Sequence, residues 1–248
     1  MKIILCGCAG RMGGAVTECC KANNIEIAAG VDLRTPEDAG FPVYADISEY
    51  RGEADVIIDF SSPKALKSVL SYAAERDIPA VLAVTGYTDG DLEAIADFAK
   101  THRVFRSPNM SIGVALLASL VKRAAAVRGY DAEIVEKHHR NKLDAPSGTA
   151  LMLAETIREV RGGEIVADRA ACGEKRRRGD REIGIASVRG GSIVGEHEVI
   201  FAGEGETLTI SHSAENRGIF ASGAVAAARF VTAQKPGRVY GMEDLING

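Results

Sequence analysis

The hydrophobic positions fall into short continuous runs separated by amphipathic stretches. "KIILCG" near the amino end reads as a buried strand, and "GAVTECCKANN" after it as a helix. "IEIAAGVD" is a second strand ending at Asp32, and "ADVIIDF" a third ending at Asp59 and Phe60. "SSPKALKSVLSYAAERD" predicts a helix that Ser61 or Ser62 can cap and whose first turn suits Pro63. "IPAVLAVTG" predicts a fourth strand, "DGDLEAIADFAKTH" a further helix, and "RVFRSPNMS" a fifth strand running into a loop. Apolar strands alternating with helices argue for a parallel sheet covered on both faces. This is the α/β, doubly wound parallel-sheet arrangement of a nucleotide-binding domain.

The pattern changes from Gly113. "GVALLASLVKRAAAVRG" is a helix and "AEIVEKHH" a strand. After another helix, strands interrupted by Gly-Gly and Gly-Glu-Gly run from Glu182 to Glu215, which predicts antiparallel hairpins. A smaller α+β domain is expected there. The terminal "IFASGAVAAARFVTAQKPGRVYGMEDLI" reads as helical again and able to pack back on the first domain. The division expected is 1–110 plus 217–248 for the dinucleotide-binding domain and 111–216 for the second, with a hinge near Ser111.

Composition narrows the function. The 248 residues are 46% hydrophobic and 26% charged, with a net charge of −4. That balance offers no general attraction to nucleic acid or an anionic membrane. The basic run "EKRRRGDRE" (174–182) is interleaved with acids and reads as a solvated loop. "MKIILCGCAG" is too short for a secretory apolar core, and no run approaches the roughly 18 apolar residues of a membrane span. Cys6, Cys8, Cys19, Cys20 and Cys172 are odd in number and lack metal-ligand spacing, so reduced thiols and a cytoplasmic location are expected.

Two segments carry chemistry. Gly7-x-x-Gly10-x-x-Gly13 lies between the first strand and first helix, where glycines let the backbone approach a pyrophosphate at a helix amino end. Glycine-rich turns are common, but Asp32 ends the second strand about 20 residues on, where a ribose hydroxyl needs an acceptor. A carboxylate there favours NADH. NADPH stays open as a second reductant because Arg34 can reach a phosphate.

The second segment is "HHRNKLDAPSGTA" (138–150). His138 and His139 begin on opposite faces of a strand end, so only a turn at Arg140 and Asn141 brings both to one cleft. Lys142 follows in that loop. Pro-Ser-Gly-Thr then opens a helix whose first amides lack internal partners; Gly148 lets an anion come close and Thr149 adds a hydroxyl. A carboxylate site thus adjoins an acid-base group and a cation. Each feature alone has a plainer reading as surface histidines or a helix cap. Zinc lacks a third ligand at useful spacing, so no metal is expected.

"GCAGRMG", "IDFSSP", "VTGY", "SPNMSIGV", "EKHHRNKLDAPSGTA" and "VGEHEVIFAGEGETLTISHSAENRGIFASGAV" occur in the order seen in dihydrodipicolinate reductases, and the chain resembles that family over essentially its whole length. The family's reaction is reduction of 4-hydroxy-tetrahydrodipicolinate in the diaminopimelate route to lysine. The resemblance implies a homotetramer whose second domain binds the dicarboxylate substrate and serves oligomerisation. It implies His138 as proton donor and acceptor, Lys142 as proton donor, and His139 with the Gly148–Thr149 backbone as binders of substrate carboxylates. Gly7, Cys8, Ala9, Gly10, Arg11 and Met12 would hold the pyrophosphate and Asp32 the adenosine ribose. Ala83, Val84 and Thr85 with Ser107, Pro108, Asn109 and Met110 would line the nicotinamide. The chain departs from the family's commonest pattern at Leu33, which replaces an arginine for a 2′-phosphate, at Ala83-Val84, which replaces Gly-Thr, and at Met110, which replaces an aromatic residue. Rival readings are another two-domain nicotinamide dehydrogenase, which has no use for the carboxylate-binding turn, and a non-catalytic nucleotide sensor, which has no use for His138 and Lys142.

Overall fold

A computed structural model of the chain describes residues 1–167 and 177–248, and Cys172 and the 174–176 part of the basic run lie outside them. The chain divides into two compact units, Met1–Ile112 with Arg217–Gly248, and Gly113–Asn216. Ser111 and Ile112 thus belong with the first unit.

The first unit is built on a parallel sheet. Its strands are β1 (Lys2–Cys6), β2 (Glu26–Val31), β3 (Val43–Tyr44), β4 (Val56–Asp59), β5 (Ala80–Leu82), β6 (Val104–Arg106) and, from the carboxyl-terminal segment, β12 (Val239–Tyr240). They lie in the order β12-β6-β5-β4-β1-β2-β3, and every pairing is parallel. The centre is apolar because both faces are covered: Ile3, Ile4, Leu5, Val56, Ile57 and Ile58 have no exposed surface. The helices are α1 (Arg11–Ala22), α2 (Leu66–Arg76), α3 (Asp89–Ala99), α6 (Gly218–Thr232) and the short α7 (Met242–Asn247). Strand order reverses between β1 and β4, and the crevice beyond the carboxyl ends of strands at such a point is where open α/β sheets bind ligands.

Three local expectations need correction. Neither Ser61 nor Ser62 caps the helical segment at Pro63: Ser62 precedes it without a side-chain bond, and Ser61 instead donates its hydroxyl to the buried Asp59 carboxylate at 2.5 Å. "IPAVLAVTG" is strand only over Ala80–Leu82. The carboxyl-terminal segment is not wholly helical, since β12 joins the sheet edge beside β6.

The second unit contains α4 (Ile112–Ala125, starting at the boundary), β7 (Asp131–His138), α5 (Gly148–Arg161), β8 (Glu164–Ala167), β9 (Glu182–Arg189), β10 (Gly195–Ala202) and β11 (Thr207–Ala214). The order is β11-β10-β7-β9-β8. β10 and β11 form the hairpin expected around Gly203–Glu206, but β9 and β10 do not pair. β7 lies between them, parallel to β9 and antiparallel to β10. Period-two alternation marks a strand without naming its neighbour, so Gly190-Gly191 resembles a hairpin turn while its flanking strands pair with an earlier one. Ala132 and Ile134 of β7 face a core that includes Leu153, Ala154 and Ile157 of α5. Among the described residues, no helix is long and apolar enough to cross a membrane.

α6 ties the carboxyl-terminal segment to the loop after β6. A Cβ at Gly223 would stand 1.6 Å from the Met110 carbonyl oxygen, so only glycine permits this approach. Gly223→Ala forces the helix or the loop to move, at a cost of about 1–3 kcal/mol. Thermal unfolding should show Tm lowered by roughly 2–12 °C; an unchanged Tm would mean that this approach is not close in solution.

Candidate functional site

In the first unit the chain leaves β1 through a glycine turn. Gly7 has φ +79, and a Cβ on it would lie 2.8 Å from the Phe60 carbonyl group, so conformation and space both require glycine. The Gly7 amide donates to Val31 at 2.8 Å and the Gly10 amide to Gly7 at 3.1 Å, which closes the turn. Gly10 precedes α1 with no side-chain cap, leaving the helix amino end accessible to an anion. Asp32, just past β2, accepts the Ala9 amide at 3.0 Å and the Arg34 amide at 3.1 Å. Its carboxylate is thereby fixed beside the glycine loop.

A cavity of about 500 Å3 is lined by Gly7, Gly10, Asp32, Leu33, Arg34 and Lys64, among others. A second, of about 400 Å3, is lined by Met12, Ala83, Val84, Thr85, Pro108 and Met110. Phe60, Ser61 and Ser62 line both, so the two form a continuous trough across the switch point. Ser107 and Asn109 shape the loop: the Ser107 hydroxyl donates to the Asn109 carbonyl at 2.6 Å, and Asn109 Oδ1 accepts the Ser111 amide at 2.9 Å. Arg11 is exposed, whereas Cys8 turns into the core. Burial, and after it the Asp32 charge, pushes the Cys8 thiol up to about 11, so it is neutral and unreactive.

In the second unit β7 delivers His138 at its carboxyl end. The Lys142 amide donates to the His139 carbonyl at 3.1 Å, so the chain turns through Arg140 and Asn141 as expected. The Lys142 ammonium sits on Asp144, at 2.7 and 2.9 Å from its two oxygens. α5 then begins at Gly148 behind Ser147, whose hydroxyl oxygen accepts the Ala150 amide at 3.2 Å. Gly148 is exposed, with open space where a side chain would stand. His139 and Thr149 are half-buried on either side of this turn.

Beneath these residues lies a polar layer that motif spacing missed. Glu136 shares the His138 face of β7 and has no exposed surface. It accepts from His138 Nδ1 at 2.6 Å, from both terminal nitrogens of Arg189 at 2.7 and 2.8 Å, and from the Ser147 amide at 3.1 Å. Burial alone would raise its pKa; bonds from Arg189, His138, Ser187 and Ser147 outweigh that and hold it at about 2. His197 of β10 stands opposite Glu136 in the sheet, and its Nε2 meets the Ser147 hydroxyl at 2.9 Å. The period-two pair Glu136–His138 was a readable signal. Arg189 was not, because it reaches His138 only through the β7–β9 register. A cavity of about 760 Å3 is lined by other residues of the second unit, including Arg128, Arg161 and Arg181. Among the described residues, no cluster of three or more His, Cys, Asp or Glu is arranged to hold a metal.

A doubly wound sheet with a glycine turn and a strand-end acid, followed by a unit bearing an imidazole, an ammonium and a bare helix start, defines a pyridine-nucleotide-dependent oxidoreductase. Residues 1–110 match the family model described as dihydrodipicolinate reductase, N-terminus, and residues 113–246 match its C-terminus. The chain belongs to the dihydrodipicolinate reductase family. It is 50% identical over 251 residues to a 4-hydroxy-tetrahydrodipicolinate reductase of Caldanaerobacter subterraneus subsp. tengcongensis, covering 99% of this chain and 98% of that one. A Clostridium novyi protein of the same name is 44% identical over 250 residues, at 99% and 98% coverage. A dipicolinate-bound dihydrodipicolinate reductase from Paenisporosarcina sp. TG-14 superposes with a TM-score of 0.85 at 28% identity, covering 98% of each chain.

The polar layer predicts an acid-labile step. Burial first, then the neighbouring His138, lowers the His197 pKa from 6.5 to about 4. The unfolded chain therefore binds more protons in that window. His197 contributes stability that is fully present above about pH 6.5 and lost as the pH falls towards about 4, on the order of 3 kcal/mol. His197→Gln keeps an acceptor for the Ser147 hydroxyl but does not titrate, so its urea midpoints should fall less steeply over this range. Equal slopes in the two proteins would refute the assignment.

Proposed function

We propose that the chain reduces 4-hydroxy-tetrahydrodipicolinate to tetrahydrodipicolinate on the diaminopimelate route to lysine, using NADH well and NADPH as a second reductant. The carrying observation is the exposed Gly148 start of α5, which follows Lys142 closely and whose cap residue Ser147 donates its amide to Glu136, the carboxylate that also accepts from His138. A ring with two carboxylates fits this place: the first amides of α5, the Thr149 hydroxyl and His139 take one carboxylate, and Lys142 exchanges Asp144 for the substrate. The dipicolinate bound to the Paenisporosarcina protein is a small dicarboxylate of this kind.

The glycine loop and trough fit a dinucleotide. Gly7 to Met12 would face its pyrophosphate, Asp32 its adenosine ribose, and Ala83 to Thr85 with Ser107 to Met110 its nicotinamide. A reduced nicotinamide held by these residues would supply the hydride that C4 of the substrate ring needs once the 4-hydroxyl has left as water. The electron pair released into the ring needs a proton at C3. Lys142 delivers that proton and steadies the developing charge, and His138 acts as its acid-base partner. A homotetramer in the cytoplasm belongs to the same reading, on the family resemblance.

The test is oxidation of each reduced cofactor with freshly generated substrate; the absence of substrate-dependent turnover overturns the proposal. Lys142→Ala should lower kcat by about 10²-fold or more while leaving NADH affinity nearly unchanged, and an unaltered kcat would remove Lys142 from the chemistry. Leu33 is 90% exposed beside Asp32, so Leu33→Arg places a cation within reach of a 2′-phosphate. It should raise kcat/KM for NADPH by about tenfold, the worth of one charge-assisted hydrogen bond. No gain would mean that the 2′-position lies elsewhere.

A further inference from the structure

We propose that Glu136 is a positioning residue for the reduction: it holds the proton of neutral His138 on Nδ1, offers Nε2 to the substrate, and joins that ring to the carboxylate-binding end of α5. The inference rests on the proposed role of His138.

An ionised carboxylate has no proton to give, and Arg189 and the Ser147 amide can only donate to it. The 2.6 Å contact between Glu136 and His138 Nδ1 therefore requires the hydrogen on Nδ1. Proton exchange is left to Nε2. That nitrogen lies over Gly195, 3.1 Å from where a Cβ would be, and the glycine has no side chain to cover it. The His197 ring meets His138 edge-on, with centroids 5.2 Å apart, and limits its rotation.

The same carboxylate sets the neighbouring groups. The Ser147 amide binds its Oε1, so the cap of α5 and the imidazole share one anchor. Arg189 donates to Glu136 and, through Nη2, to the Asp144 carbonyl at 2.6 Å, next to the side chain that holds Lys142. Imidazole, ammonium and helix start are thus referenced to one buried charge.

The first test needs no variant. In 15N-labelled protein, two-bond proton–nitrogen correlations of neutral His138 should show a protonated Nδ1 and a pyridine-type Nε2; the reverse pattern overturns the proposal. Glu136→Gln replaces the obligate acceptor with an amide that can also donate to Nδ1. Its spectrum should show mixed or reversed protonation, with kcat reduced at least about tenfold and KM for NADH unchanged. A wild-type kcat, or a lower kcat with Nδ1 still protonated as in wild type, refutes positioning by Glu136. If that variant does not fold, Glu136→Asp is the second: it keeps the charge but withdraws it, and should retain the wild-type protonation pattern with an intermediate kcat, whereas full activity counts against the proposal. Failure of the wild-type chain to turn over the cyclic imine would sink the proposed function instead, and the wild-type spectrum would still decide how Glu136 sets the ring.

Discussion

A carboxylate with no surface exposed to solvent stays ionised only if the protein replaces the water it has lost. The second unit is arranged around doing so for Glu136. Desolvation of a lone charge costs several kcal/mol, and removing one partner of a buried pair costs about 3–5 kcal/mol. Glu136 is compensated by a two-pronged guanidinium, an imidazole and a backbone amide, drawn from β9, β7 and the cap of α5. None of these segments can shift without leaving the charge short of a donor. β7 is therefore central in the sheet for two reasons: Ala132 and Ile134 fill the core, and Glu136, next on the same face, anchors the site.

The first unit solves a different problem, since it must present backbone rather than side chains. A pyrophosphate carries its own charge, so the protein needs close approach and oriented amides. Gly7 supplies the turn, and the uncapped start of α1 supplies the amides. Asp32 is held by the Ala9 and Arg34 amides, which fixes its distance from the loop. A fixed acid at this place disfavours a 2′-phosphate. Arg34 and Lys64, lining the same cavity, offset part of that repulsion.

Legibility in the sequence followed the range of each interaction. The parallel sheet was readable because strands buried on both faces are apolar throughout, and the start of α5 because capping is local. β3 and β12, at two residues each, are too short to register as periodic. The pairing of β7 between β9 and β10 was unreadable because alternation says nothing about neighbours. Ser62 holds the cap position before Pro63 but makes no side-chain bond there, while the neighbouring Ser61 hydroxyl donates to the buried Asp59, a partner that local spacing does not reveal. The His138–Thr149 motif stands out as a run of nearby residues, whereas Glu136 reads as an ordinary strand position and Arg189 joins the candidate site only through sheet register.

The two ion pairs around the motif differ in a way that matters for chemistry. The Glu136 carboxylate is fully buried, so losing the half-buried Arg189 would leave it a desolvated charge without its main partner. Lys142 with Asp144 is open: the Asp144 side chain is 58% exposed, against none for Glu136. Solvent-exposed pairs contribute only about 0–1 kcal/mol, so on the proposed function a substrate carboxylate displaces the exposed Asp144 at little cost. The loop thus keeps one charge fixed and leaves another free to change partners. On the proposed function, the fixed carboxylate orients the imidazole before substrate arrives, while the ammonium exchanges Asp144 for the substrate's carboxylate and then gives a proton to the ring.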